Sequence, residues 1–305
     1  MATIDVTTPE AVLRTGGMRT FGRLLRESPR LLVGLIIFAI LVLTGVLEQP
    51  INRARIGDHL STEVGIFDVN MPPSAAHPLG TDFSARDELA LLVTGIRNSL
   101  VIGFIAGGIG TGIAILLATL AGYFGGRTES FVTAVTNSVM IIPSLPVLAI
   151  ISTFVFRPNI GFLSLALAFF SWPFPTRVIM PQIRSLRERP FVDMARVNGY
   201  GSWSVMFLEI VPNFLPFIVL GLVSAISGSI LAETGLRLLG LGPATAASLG
   251  TLIQATLYTG TLAQGLYLIA LSPIVVLILI FVSLNLINFG LEEVYNPRLK
   301  KITGL

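Results

Sequence analysis

Long apolar runs separated by short polar segments constrain this chain more than any other feature. Each run is close to the length of about 20 residues that a helix needs to cross a bilayer. Only 12% of the 305 residues are charged, whereas a soluble domain carries about 25%. The sequence therefore predicts an all-α polytopic membrane protein with six transmembrane helices. The predicted spans are Leu31–Leu47, Ser99–Tyr123, Phe131–Phe156, Ile160–Met180, Ile210–Leu231 and Gln264–Phe289.

The distribution of basic residues predicts how these spans are oriented. With six spans and a cytosolic N-terminus, 14 of the 20 Lys and Arg residues face the cytosol, as the positive-inside rule requires. The 14 are Arg14, Arg19, Arg23, Arg26, Arg30, Arg127, Arg177, Arg184, Arg187, Arg189, Arg196, Arg298, Lys300 and Lys301. We expect a multi-pass protein of the cytoplasmic (inner) membrane with both termini in the cytosol.

This topology divides the chain into five parts. Residues 1–30 are predicted to form a cytosolic tail with an interfacial helix or a solvated segment, and 31–47 the first span. Residues 48–98, rich in Pro, Gly, Asn and Asp, form an extracytoplasmic loop. Residues 99–290 form a five-helix core, and 291–305 form a cytosolic tail.

The segment Leu236–Leu257 is apolar but interrupted by glycines and a proline. As a seventh span it would place Arg298, Lys300 and Lys301 outside, against the charge distribution. We therefore expect a re-entrant or interfacial hairpin that is packed within protein.

Small residues recur along the second predicted span at helical spacing, which predicts close helix packing. They are Gly103, Gly107, Gly108, Gly112, Ala118 and Gly122.

The polar interruption between the fourth and fifth spans predicts a short helix over residues 190–199. Pro190 suits the first helical position, Asp193 lies in the first turn, and Gly199 ends the helix. One predicted stripe contains Phe191, Met194, Ala195 and Asn198, while Asp193 and Arg196 share another face. Such a stripe indicates a docking partner, or else a helix that lies on the membrane surface.

The sequence offers no nucleotide site of its own. Lys300 and Lys301 are its only lysines, and they lie far from any glycine-rich phosphate-binding loop. We therefore expect ATP-Mg on another chain, no cofactor or metal on this one, and no enzymatic activity. Ion coupling would need a buried acid, for which Glu233 is the candidate, although a structural bond to the following hairpin is the alternative. Glu233 and Asp87 are the predicted translocation or gate residues.

Several motifs resemble those of one transporter family. Residues 193–199 with Ile210, Val211, Pro212 and Asn213 resemble the EAA motif of type I ABC-importer permeases. Five further segments resemble motifs of the dipeptide/oligopeptide branch of that family. They are His77 to Asp82 with Arg86 and Asp87, Gly122 to Gly126, Ala232 to Leu236, Leu239 to Gly242, and Asn296 to Leu299. Asp193 and Met194 replace the usual Glu and Ala.

The resemblance implies the partners and the role of the short helix. In that family the helix couples the permease to a cytosolic ATPase, which assigns this contact to Arg189, Phe191, Asp193, Met194, Ala195, Arg196, Asn198 and Gly199. The implied partners are a second permease, two ATPase subunits, an extracytoplasmic binding protein and the lipid membrane, with no nucleic acid.

Two functions remain open from the sequence. The first is a permease subunit that forms half of the translocation path of an ATP-driven importer, for peptides or alternatively for oligosaccharides or other solutes. The second is an ion-coupled secondary carrier that uses Glu233.

Overall fold

The computed structural model describes residues 28–154, 159–242 and 246–295, which form a helical bundle. The predicted interfacial helix before Ser28, the motif at Asn296–Leu299, and Arg298, Lys300 and Lys301 lie outside the described residues. In chain order the helices are α1 (Pro29–Val46), α2 (Glu48–Ile56), α3 (Glu88–Phe124), α4 (Gly126–Ile141), α5 (Ser144–Phe154), α6 (Ile160–Ser171), α7 (Pro173–Arg187), α8 (Pro190–Val197), α9 (Ser202–Leu238), α10 (Leu249–Thr259) and α11 (Tyr267–Tyr295).

Four helices, α1, α3, α9 and α11, are long and apolar enough to cross a membrane without interruption. The pair α4 and α5 is bent by 70°, and the pair α6 and α7 by 44°. Pro143 and Pro173 lie at these bends, where the missing amide hydrogen interrupts the helical ladder. With each bent pair counted as one span, the described residues contain up to six spans, which confirms the predicted all-α polytopic fold.

Helix α3 begins at Glu88 and not at the predicted Ser99, so it starts inside the segment assigned to the extracytoplasmic loop. Asp87 caps the helix by accepting a hydrogen bond from the backbone N–H of Ala90 (2.8 Å). The sequence did not reveal this start because Thr94, Arg97 and Asn98 interrupt the apolar run that begins at Leu89. One of them, Asn98, is buried and donates to the carbonyl oxygen of Ala247 (2.6 Å).

The segment after α9 folds back on the bundle, as the sequence predicts. Helix α10 has 11 residues, too few to cross a bilayer, and it packs against α3, α9 and α11. Ser248 caps it in a capping box with Thr251. A Cβ on Gly250 would lie 2.9 Å from the Cα of Thr234, so glycine permits α10 to approach α9 this closely.

The glycines of α3 have two different surroundings. A Cβ at Gly107 would lie 2.7 Å from the backbone nitrogen of Ile226 on α9, and one at Gly122 would lie 2.8 Å from the carbonyl oxygen of Met180 on α7. Gly108 and Gly112 face open space within this chain. The predicted close packing therefore holds for part of the stripe only.

The bundle has two ends with different elements. At the α8 end, Ser28 beside α1 bonds Glu293 of α11 (2.9 Å), and Arg187 of α7 donates to the Tyr123 carbonyl of α3 (3.0 Å). At the α10 end, loop 57–87 covers the start of α3. The first and last described residues thus lie at the same end of the bundle as α8.

Candidate functional site

Helix α8 is a short, well-defined element between α7 and α9. It begins with Pro190 after Arg189 at the N-cap. It ends in a Schellman motif, in which the amides of Gly199 and Tyr200 donate to the carbonyls of Arg196 (3.0 Å) and Ala195 (3.1 Å). Gly199 adopts φ +81°, as its role as a helix stop requires.

One face of α8 packs against the bundle. Val192 is fully buried and Ala195 is 6% exposed, in a cluster with residues of α3, α7 and α9. Phe191 is half-buried against the same cluster. The predicted single stripe is therefore wrong in part, because Phe191 and Ala195 contact this chain while Met194 and Asn198 face outward. Val192, which the predicted stripe omitted, is the innermost residue.

The opposite face of α8 is apolar and exposed. Met194 is 67% exposed and Val197 is 87% exposed, one helical turn apart. Just beyond the helix, Tyr200 and Trp203 are also exposed, at 51% and 60%. We call Met194, Val197, Tyr200 and Trp203 the α8 surface. The sequence-based prediction included Met194 but missed Val197, Tyr200 and Trp203. The three-residue spacing from Met194 could have indicated Val197.

The charged side chain of Arg196 connects α8 to the end of α3. Arg196 forms an ion pair with Asp193 (3.3 Å), which the predicted spacing anticipated. Its guanidinium also lies 5.4 Å from the ring centroid of Tyr123, within cation–π range. Tyr123 is buried at the end of α3 and belongs to the apolar cluster that holds Val192 and Ala195, so α8 contacts α3 both by apolar packing and through the Arg196 guanidinium.

Glu233 lies at the other end of the bundle and is fully buried. Its Oε1 accepts hydrogen bonds from Nε of Arg237 (3.0 Å) and from Oγ of Ser248 (2.7 Å). The second bond joins α9 to the cap of α10. Helix α9 continues past Glu233 to Leu238. The geometry matches the predicted bond between Glu233 and the hairpin.

Asp87, the other predicted gate residue, lies at the centre of a polar cluster outside the membrane helices. Its Oδ2 accepts from Arg55 (2.9 Å) and contacts Nδ1 of His77 (2.7 Å). Burial acts to raise the pKa of Asp87, but the hydrogen bonds from Arg55, His77 and the Ala90 amide outweigh it and leave the pKa below its ordinary value. The cluster holds loop 57–87 against α3.

A groove of about 510 Å³ runs between α5, α6, α7, α9 and α11. Its walls are mainly apolar and include Phe170, Phe174, Phe214 and Phe217. Glu233 and Asp87 do not line it. The groove was not predictable from the sequence, because the inward faces of the helices depend on how they pack.

Comparison with known proteins identifies the family. Residues 92–301 match the family model described as the binding-protein-dependent transport system inner membrane component. The chain is similar to the oligopeptide transport system permease protein OppC of Mycobacterium tuberculosis (strain ATCC 25618 / H37Rv), with 35% identity over 228 residues, 74% of this chain and 77% of the relative.

Two further relatives extend the match. The OppC protein of Lactococcus lactis subsp. cremoris is 31% identical over 238 residues, 77% of this chain and 81% of the relative. The dipeptide transport system permease protein DppC of Haemophilus influenzae is 28% identical over 284 residues, 90% of this chain and 93% of the relative. With its helical, multi-span architecture, the chain belongs to the family of binding-protein-dependent transport system inner membrane components, the permease subunits of type I ABC importers.

Proposed function

We propose that this chain forms half of the translocation path of an ATP-driven importer that takes up peptides. The similar proteins are named as oligopeptide and dipeptide permeases, and this supports peptides over oligosaccharides. A second permease completes the path, and an extracytoplasmic binding protein delivers the solute. The predicted division into tail, first span, loop, core and tail belongs to the same proposal.

The exposed apolar α8 surface is the observation that carries the coupling role. An 87% exposed Val197 beside a 67% exposed Met194 is unfavourable in water, so a partner that covers them gains apolar burial. We assign this partner as a cytosolic ATPase subunit that holds ATP-Mg. Arg189, Asp193 and Asn198 are exposed around the patch and supply its polar rim.

The attachment of α8 supports a mechanical role. Val192 and Ala195 anchor it in the cluster shared by α3, α7 and α9, and Arg196 contacts Tyr123 at the end of α3. Movement of an ATPase that holds the outer face would therefore move these helix ends together. This arrangement does not require a nucleotide site on the permease itself.

The bonds of Glu233 favour a structural role over ion coupling. Its Oε1 accepts from Arg237 and Ser248 and so links α9 to α10, while its Oε2 has no hydrogen-bond partner among the described residues.

Site-specific cross-linking tests the proposal, because the chain has no native cysteine. We expect Val197→Cys to cross-link to the ATPase subunit in the assembled transporter and to resist an impermeant thiol reagent applied outside intact cells. Leu60→Cys is the matched control, since Leu60 is 70% exposed in the loop at the opposite end, and it should be labelled from outside. Labelling of position 197 from outside would refute both the orientation and the docking role.

A further inference from the structure

The groove between α5, α6, α7, α9 and α11 is open where a helix packing surface would be closed. Along α9 it is lined by small residues at helical spacing, namely Gly221, Ser224, Ala225, Gly228, Ser229 and Ala232. A Cβ added to Gly221 or Gly228 would meet nothing within 4 Å, whereas one at Gly107 of α3 would meet the α9 backbone. Among the described residues these two glycines therefore do not serve helix packing, and they leave free space along one wall.

Two buried polar atoms in the groove lack a hydrogen-bond partner among the described residues. Ser229 is 4% exposed, and its Oγ is unbonded. The Oδ1 of Asn288 is likewise unbonded, while its Nδ2 donates to Oγ of Ser224 (3.0 Å) and so fixes the orientation of the amide. Buried polar groups are normally satisfied, so these two exceptions call for an explanation, and a ligand in the groove supplies one. The groove presents one acceptor in Asn288 and one hydroxyl in Ser229.

Resting on the proposed function, we propose that this groove is the substrate-facing wall of the path and that Ser229 and Asn288 bind the backbone amides of a peptide in transit. An extended peptide carries a free N–H and a free C=O at each residue, which match the Asn288 acceptor and the Ser229 hydroxyl.

Other occupants fit these atoms less well. A hydrocarbon chain has no hydrogen-bonding group, so lipid would leave both atoms unsatisfied. A transmembrane helix of a second permease has its backbone amides bonded internally. The rest of the wall is mainly aromatic or aliphatic, with Ser144, Ser171 and Gln182 as further polar residues, and Glu292 is the one charged residue among its described lining. Such a wall contacts the feature common to all peptides and is largely indifferent to their side chains.

Replacement of the Ser229 hydroxyl tests the inference in the complete transporter, reconstituted in liposomes with its binding protein and ATP. We expect Ser229→Ala to raise the KM of tripeptide uptake by about 2- to 10-fold, the range for loss of one hydrogen bond. Ser227→Ala is the matched control, since it removes a hydroxyl from α9 that does not line the groove. Equal KM values for the two variants would overturn the inference.

Cysteine protection gives a second readout that distinguishes the occupants. In a Ser229→Cys variant we expect transported tripeptide to slow modification by a small neutral thiol reagent. Modification that is insensitive to peptide would assign the groove to lipid, and a cross-link to the second permease that is insensitive to peptide would assign it to the subunit interface. Either result overturns the inference.

The two proposals can fail separately. If the wild-type transporter takes up peptide with ATP while Ser229→Ala matches Ser227→Ala, only the groove assignment fails. If the wild-type transporter takes up no peptide, the proposed function fails and this inference fails with it.

Discussion

At the scale of single residues, the end of α8 depends on the backbone conformation of Gly199. Its φ of +81° is strained for any residue with a Cβ and most strained for a β-branched one, although the surrounding space is open. The cost of a substitution therefore comes from the backbone and not from a steric clash with neighbours.

We predict that Gly199→Val weakens ATPase association while membrane insertion stays normal. A strain of about 1–2 kcal/mol, if released by unwinding the end of α8, corresponds to roughly 5- to 30-fold in binding. Gly199→Asn is the control, because Asn tolerates this conformation better. The measurement is the amount of ATPase that copurifies with each variant, and equal amounts for Val and Asn would contradict the account.

For Glu233, we predict that Ala destabilises the solubilised transporter more than Gln does. Removal of one partner of a buried ion pair costs about 3–5 kcal/mol, whereas the Gln carbonyl still accepts from Arg237 and Ser248. The measurement is the thermal unfolding midpoint in detergent, together with ATP-dependent uptake by the Gln variant. A Gln variant of unchanged stability that transports nothing would instead indicate an ion-coupling role.

At the scale of elements, the two faces of α8 have different tasks. Val192 and Ala195 hold the helix on the bundle, and Met194 and Val197 are free to contact a partner. Phe191 is half-buried against the chain itself, so Phe191→Ala perturbs packing as well as any docking.

We predict opposite phenotypes for one substitution at two positions of α8. Val192→Asp places a charge in an apolar cluster and lowers the amount of folded protein. Val197 is exposed, so the Val197→Asp variant keeps a normal amount of folded protein but loses association with the ATPase. Quantitative blotting and copurification separate the two, and a Val197→Asp variant that binds ATPase normally would remove α8 from the docking site.

The sequence predicts the spans and α8 because both leave periodic or length-dependent patterns. The sequence does not predict which face of α8 is buried. On an eight-residue helix two stripes overlap, one with Phe191, Met194, Ala195 and Asn198 and the other with Val192 and Ala195. Which stripe is buried depends on how α7 and α9 enter the bundle. The predicted start of α3 was too late because the polar Asn98 looked like the end of an apolar run. In the fold its amide is buried and donates a hydrogen bond to the carbonyl of Ala247, which is far away in the sequence. The groove was not predictable for the same reason, as helix packing decides which side of α9 remains open.

The Asp87 carboxylate is one of the groups that hold loop 57–87 against α3, which makes the order of the loop sensitive to pH. Because the pKa of Asp87 is lowered in the fold, its stabilising contribution is present above the unfolded pKa and is lost as pH falls through the folded value. We predict faster proteolysis of this loop in acid for the wild type and at all pH values for Asp87→Asn. Asp58→Asn, in an exposed ion pair with Arg53, is the control and should match the wild type.

At the scale of the whole molecule, the two ends of the bundle separate two tasks. The α8 end presents an exposed apolar surface, which we propose as the docking site of the ATPase subunit, and the α10 end carries the hairpin and loop 57–87. The groove lies between them along α9, the helix that extends from beside α8 to the hairpin. Motion applied at α8 can therefore change the width of the groove through α9.

The most direct measurement is uptake of labelled tripeptide by liposomes that contain the complete transporter. The binding protein is added on the side of the membrane that receives the peptide, and ATP is supplied on the ATPase side. The account predicts that wild-type uptake requires both ATP and binding protein, is unaffected when the proton gradient is collapsed, and is abolished by Val197→Asp in folded, inserted protein. Uptake driven by the proton gradient without ATP, or full uptake by Val197→Asp, would contradict it.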